Sequence, residues 1–119
     1  MFRFVPVETI KKTIQIEVPG HYGKTTKADF DVEFRRLGHS EAKNLIEKIR
    51  EKKADEDQVL RDNIVDIDGI KDADGNDIPF SAELLTQLLD EAYIRAPLIA
   101  GFMEVTYQLD KLKRKNSKG

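Results

Sequence analysis

Cysteine is absent from the chain. That excludes a disulfide framework and thiolate chemistry, and it fits a reducing cytoplasm. Long apolar runs are lacking too, with nothing near the ~18 residues a membrane-spanning helix needs. The first residues, MFRFVPVET, do not place a charged segment ahead of an apolar one, so no signal peptide is expected. Neither sign of charge dominates. Lys and Arg number 20 against 22 Asp and Glu, giving a formal net charge of −2. A duplex-DNA binder held by phosphate neutralisation is not expected from such a balance. Only two histidines are present, His21 in a loop and His39 ahead of a helix, and neither has a Ser, Cys or metal-spaced partner nearby in sequence. No glycine-rich phosphate loop is seen, because Gly20 to Gly23 has the wrong context, and the carboxylates are scattered over expected solvent faces. No catalytic residue, cofactor ligand or metal ligand can be named, and the chain is not expected to be an enzyme.

What is present reads as one α+β domain of 119 residues. A chain of this size buries roughly two-thirds of its unfolded surface, enough for its own core. Residues 1–37 form the β-hairpin region, 40–115 the helical region and 116–119 a flexible tail. No internal repeat or second domain is visible.

Phe2 to Val7 is short, apolar and broken by Pro6, as an edge strand can be. Ile14, Ile16 and Val18 then alternate with Thr13, Gln15 and Glu17. Beyond Pro19-Gly20 and Gly23, Ala28, Phe30, Val32 and Phe34 alternate with Asp29, Asp31, Glu33 and Arg35. Period two on both sides of a Gly/Pro loop predicts an antiparallel hairpin, about Ile10–Val18 with Thr26–Arg36, with one buried face. A lone hairpin is marginal in water. It therefore needs a third strand, a helix across Phe30 and Phe34, or another subunit.

Ser40 is the expected N-cap of a first helix with Ala42, Leu45, Ile46 and Ile49 on its apolar face. The charged run 50–57 is read as a solvated helix end and loop. Val59, Leu60 and Ile64 predict a second, short helix capped by Asp55 or Asp57. Ser81 caps a third helix carrying Leu84, Leu85, Leu88 and Leu89, and Asp90-Glu91 ends its apolar run. A last helix follows. Pro97 lacks an amide and clashes with the preceding turn, so a kink or a fresh start near Ala96 is expected.

The acidic turn before Ser81 resembles a calcium loop in spacing. Counting from Asp72, positions 1, 3, 5 and 12 are Asp72, Asp74, Asn76 and Glu83. Position 6, where such a loop needs Gly for its sharp turn, is Asp77. Position 8 is Pro79, and Ser81 would cap a helix inside the loop. The alternative is a type I or I′ turn over DADGN joining two extended pieces, Asp68–Lys71 and Ile78–Phe80.

The last helix carries Ile94, Leu98, Phe102, Val105, Leu109 and Leu112 at steps of four and three, with Ile99 and Met103 widening the stripe. Such a seam suits either a partner helix or the hairpin's own buried face. Tyr93, Phe102 and Tyr107 cannot all share one narrow face, and aromatic residues left over from a core are common partner anchors. The candidate partner-binding residues are accordingly Tyr93, Leu98, Phe102, Val105, Tyr107 and Leu109. Lys111, Lys113, Arg114 and Lys115 suit the negative end of a helix dipole.

Three stretches together resemble the phage tail assembly chaperones, small proteins encoded beside the tape measure gene in tailed phages and prophages. The first is FRFVP with IQIEVPG, GK and FDVEFRRL. The second is SEAKNLIEKI. The third and most specific is VDIDGIKDADGNDIPFSAELLTQLLDEAYIRAPLIAGF, and the likeness runs from Phe2 to about Tyr107. Two departures are Asp66-Ile67-Asp68, where an aromatic is expected before the Asp-Gly pair, and Pro97 within an otherwise continuous helix. The resemblance implies a protein of the bacterial host cytoplasm with no catalytic activity and no cofactor. It implies binding to the long, helical, aggregation-prone tape measure protein, kept soluble while tail tube subunits polymerise around it. It also implies a link to the tail tube protein, since many members are made as longer frameshifted products whose extra domain recruits it. No binding residue is defined by the family's motifs. Two other readings stay open: a calcium-binding module on Asp72 to Glu83, and a subunit of another assembly whose hairpin edges pair between chains as a homo-oligomer. Neither membrane nor nucleic acid is an expected partner.

Overall fold

A computed structural model describes residues 1–107. Two long strands, β1 (Thr9–Pro19) and β2 (Thr25–Arg35), form the expected hairpin around a short 3-10 turn, His21–Gly23. They pair antiparallel with Ile14 opposite Phe30 and Ile10 opposite Phe34. The alternation in sequence dictates this register, because a slip by one residue would turn every apolar side chain to water. Ile14, Ile16, Phe30, Val32 and Phe34 are buried on the inner face.

The stabilising third strand comes from the region expected to be helical. Helix α2 (Glu56–Asn63) ends one residue earlier than its apolar spacing predicts, and Ile64 opens β3 (Ile64–Asp68) instead. The sheet order is β1-β2-β3. β3 pairs antiparallel to β2 with a register shift, Glu33 opposite Asp66 but Phe34 opposite Ile64, so Val65 is the extra residue of a bulge. The bulge lets Ile64 and Ile67 both point inward although they are three residues apart.

The helices lie on the apolar side of this sheet. These are α1 (His39–Arg50), α2, α3 (Ala82–Leu89) and α4 (Ala92–Tyr107). Asp55 caps α2 by accepting from the Asp57 amide at 3.0 Å, and Ser81 caps α3 by accepting from the Leu84 amide at 3.0 Å. Ser40 does not cap α1. That helix begins at His39 with Gly38 in the capping place, and the Gly38 carbonyl receives the Ala42 amide at 2.9 Å. Neither does the chain restart near Ala96. α4 runs on through Pro97, its sixth residue, which lacks the amide that would otherwise bond to the Tyr93 carbonyl. Leu84, Leu85, Leu88 and Leu89 of α3 and Ile94, Leu98 and Phe102 of α4 complete the core. The absence of a side chain at Gly101 lets α4 lie against β1, since a Cβ there would overlap the Ile14 δ-methyl.

Phe2 to Val7 is not a strand. β2 ends at Arg35, so nothing remains for it to pair with, and the last link to the sheet is the Arg36 amide donating to the Glu8 carbonyl at 2.9 Å. No helix among the described residues is long and apolar enough to cross a membrane.

Candidate partner-binding surface

Of the six residues expected to meet a partner, two are interior. Leu98 is fully buried and Phe102 is 2% exposed. The Phe102 ring packs on Phe34 at a centroid distance of 5.8 Å, tilted by 56°. Their burial takes both off the accessible surface. Tyr93, Val105 and Tyr107 are half-buried and rest against the core from outside. Leu109 lies outside the described residues, as do Leu112, the basic run 111–115 and the tail 116–119.

The half-buried residues do not form one patch with a single use. Val105 and Tyr107 belong to the last turn of α4, which meets α1. The Tyr107 hydroxyl donates to the Ala42 carbonyl at 3.0 Å, joining the C-terminal end of α4 to the first turn of α1 across 65 positions of sequence. Burial raises the Tyr107 hydroxyl above its usual pKa of 10.0. The ring sits with its body in apolar contact and its oxygen engaged, which is how buried tyrosines are usually satisfied.

Between these two helices runs an open groove of about 480 Å³. Leu37, Ala42, Ile46 and Tyr107 give it an apolar lining, and Arg36, His39 and Lys43 stand on its rim. The exposure of its walls follows from how α1 is held. Ala42 is buried and Leu45 packs on the core, whereas Ile46 and Ile49 are half-buried without joining that cluster. An amphipathic helix normally turns its whole apolar stripe to the core. Here the stripe is wider than the surface it covers.

Further exposed apolar residues precede the sheet. Phe2, Phe4, Val5 and Val7 lie in the open, with Phe2 83% exposed, and Tyr22 at the hairpin tip is 98% exposed. Tyr22 also holds a left-handed backbone, φ 59°, which a bulky residue rarely adopts. Sequence reasoning assigned the arm to a strand and gave Tyr22 no role. The signals were Pro6 and a hairpin loop with an aromatic at its tip.

The acidic turn closes on itself. The Asp72 carboxylate Oδ1 accepts from the amides of Asp74, at 2.9 Å, and Asn76, at 3.0 Å. The Asp72 amide donates to the Asn76 carbonyl, and Lys71 and Asp77, opposite each other in an isolated antiparallel bridge, form an ion pair at 2.9 Å. Gly75 takes the positive φ, 84°, that the turn requires. Among the described residues no three His, Cys, Asp or Glu side chains are gathered as a metal-binding set.

No family model matches the chain, and neither the curated proteins nor the solved structures give a significant match.

Proposed function

We propose that this chain is a phage tail assembly chaperone that holds a helical segment of the tape measure protein in the groove between α1 and α4. The resemblance described above supplies the identity of the partner. The observation that carries the reading is the groove itself, with apolar residues along it and two cations at its rim. Such a groove suits an amphipathic helix whose apolar stripe enters it and whose acidic flanks meet Arg36 and Lys43. An aggregation-prone helix shielded along its apolar stripe stays in solution. In this reading the chain performs no catalysis, uses no cofactor and acts in the host cytoplasm.

The exposed arm and the half-covered α1 stripe also suit a holdase, which needs apolar surface within a charged frame. Co-expression with the tape measure protein tests the proposal. Wild-type chain is expected to co-purify with that protein and raise its soluble yield, and Ile46→Asp is expected to lose both effects while remaining folded.

A further inference from the structure

The two edges of the sheet are unlike. β3 offers five residues, a bulge at Val65 and two outward carboxylates, Asp66 and Asp68. Short, bulged, charged edges resist further pairing. β1 offers eleven residues without a bulge, and its one proline is its last residue. Among the described residues no segment hydrogen-bonds to the free side of β1. A groove of about 350 Å³ runs beside that strand, between it and α4, lined by Lys12, Ile14, Gln15, Pro97, Ala100 and Gly101. Pro97, Ala100 and Gly101 are compact there, and the fourth α4 residue of the lining, Glu104, is held by Lys12 in an ion pair at 3.0 Å.

We infer that the free edge of β1 takes the β1 of a second copy, antiparallel about a two-fold axis at Ile14, making a continuous six-stranded sheet. Charge complementarity selects both the occupant and the register. An antiparallel pair places residues of the same face opposite each other, so only registers that keep Ile14 and Ile16 inward are open. With Ile14 opposite its own symmetry mate, Lys11 meets Glu17 of the other copy, and Glu17 meets Lys11. Thr13 meets Gln15, and the half-buried Ile10 meets the half-buried Val18.

Within one chain Lys11 already stands opposite Glu33, and Glu17 opposite Lys27. Across the joined sheet the outer face therefore reads Glu33, Lys11, Glu17, Lys27, alternating in sign over four strands. Centring the axis on Thr13 or Gln15 places neither Lys11 opposite Glu17 nor any other pair of opposite charges. Centring it on Lys11 or Lys12 sets like charges face to face. Opposite charges directly across a ladder favour pairing and like charges oppose it. The contact is isologous, so it closes at two copies and does not propagate.

The inference is independent of the tape measure reading, because the edge of β1 and the α1–α4 groove share no residue. Sedimentation of the full chain over a concentration series tests it. Wild type is expected to sediment as a dimer. Glu17→Lys and Lys11→Glu are each expected to shift to monomer with an unchanged circular dichroism spectrum, since each sets like charges across the axis. Mixing the two variants restores both opposite pairs and is expected to restore the dimer. Because the chain has no cysteine, the register has its own readout. Residues directly opposite lie within disulfide reach, so Thr13→Cys mixed with Gln15→Cys should give a covalent dimer on oxidation. A wild-type monomer throughout the series, or single variants that stay dimeric, would overturn the inference. So would a mixture without the cross-link.

Discussion

Tyr107 and Ala42 are joined by one hydrogen bond, 3.0 Å from hydroxyl to carbonyl, that ties the last described turn of α4 to the first turn of α1. Both residues line the groove between the helices, beside the half-buried Ile46. Tyr107→Phe keeps the ring and removes the bond. It should cost about 1 kcal/mol in urea unfolding, the usual net contribution of one such bond.

The same residue gives a pH dependence. Burial raises the Tyr107 pKa, so the folded state holds this proton more tightly than the unfolded chain does. The resulting stability is fully present below pH 10.0 and is lost as pH rises through the raised folded value. Melting temperature in alkaline solution should therefore fall more steeply for wild type than for Tyr107→Phe. Parallel curves would mean that Tyr107 is not buried as described.

Phe30, Phe34 and Phe102 bind the sheet to α4. Phe102→Ala should cost about 3–5 kcal/mol, the usual range for removing a buried ring, and Phe30→Asp should leave the chain unfolded because its carboxylate would be buried without a partner. Chemical denaturation followed by circular dichroism measures both. An unchanged melting curve for Phe30→Asp would show the hairpin register to be wrong.

The acidic turn should not respond to calcium. Asp72 already spends one carboxylate oxygen on two backbone amides, and Asp77 is paired with Lys71. A ligand specific to the native state must raise the melting temperature. Millimolar calcium should leave it unchanged, and a clear rise would assign the turn to metal binding.

The hairpin was legible because strict period two admits one register, and the cap Ser81 because it precedes an apolar helical run, whereas the sequence left the α2 cap open between Asp55 and Asp57. β3 was not, for a physical reason. Its bulge at Val65 puts Ile64 and Ile67 on one face at a spacing that reads as helical. The sorting of α4 was equally hidden. Ala92–Tyr107 is apolar on nearly every side, so periodicity marks a helix without marking its inner face. Phe102 and Val105 look alike in the sequence. Only the approach of α4 to β1 at Gly101 makes the first interior and leaves the second half-covered. The groove depends on α1 being incompletely covered, which no pattern within α1 itself encodes.

Substitution at Ile46 tests the central claim most directly. Ile46 lines the groove, is half-buried and stands apart from the core cluster. Tagged wild type and Ile46→Asp would each be co-expressed with the tape measure protein, and the captured and soluble fractions compared, with melting curves as the control for folding. Wild type should capture that protein and raise its soluble yield, while a folded Ile46→Asp should do neither. A folded wild-type chain that neither captures the tape measure protein nor raises its yield would contradict the chaperone reading. Equal capture by wild type and Ile46→Asp would contradict the groove as its site.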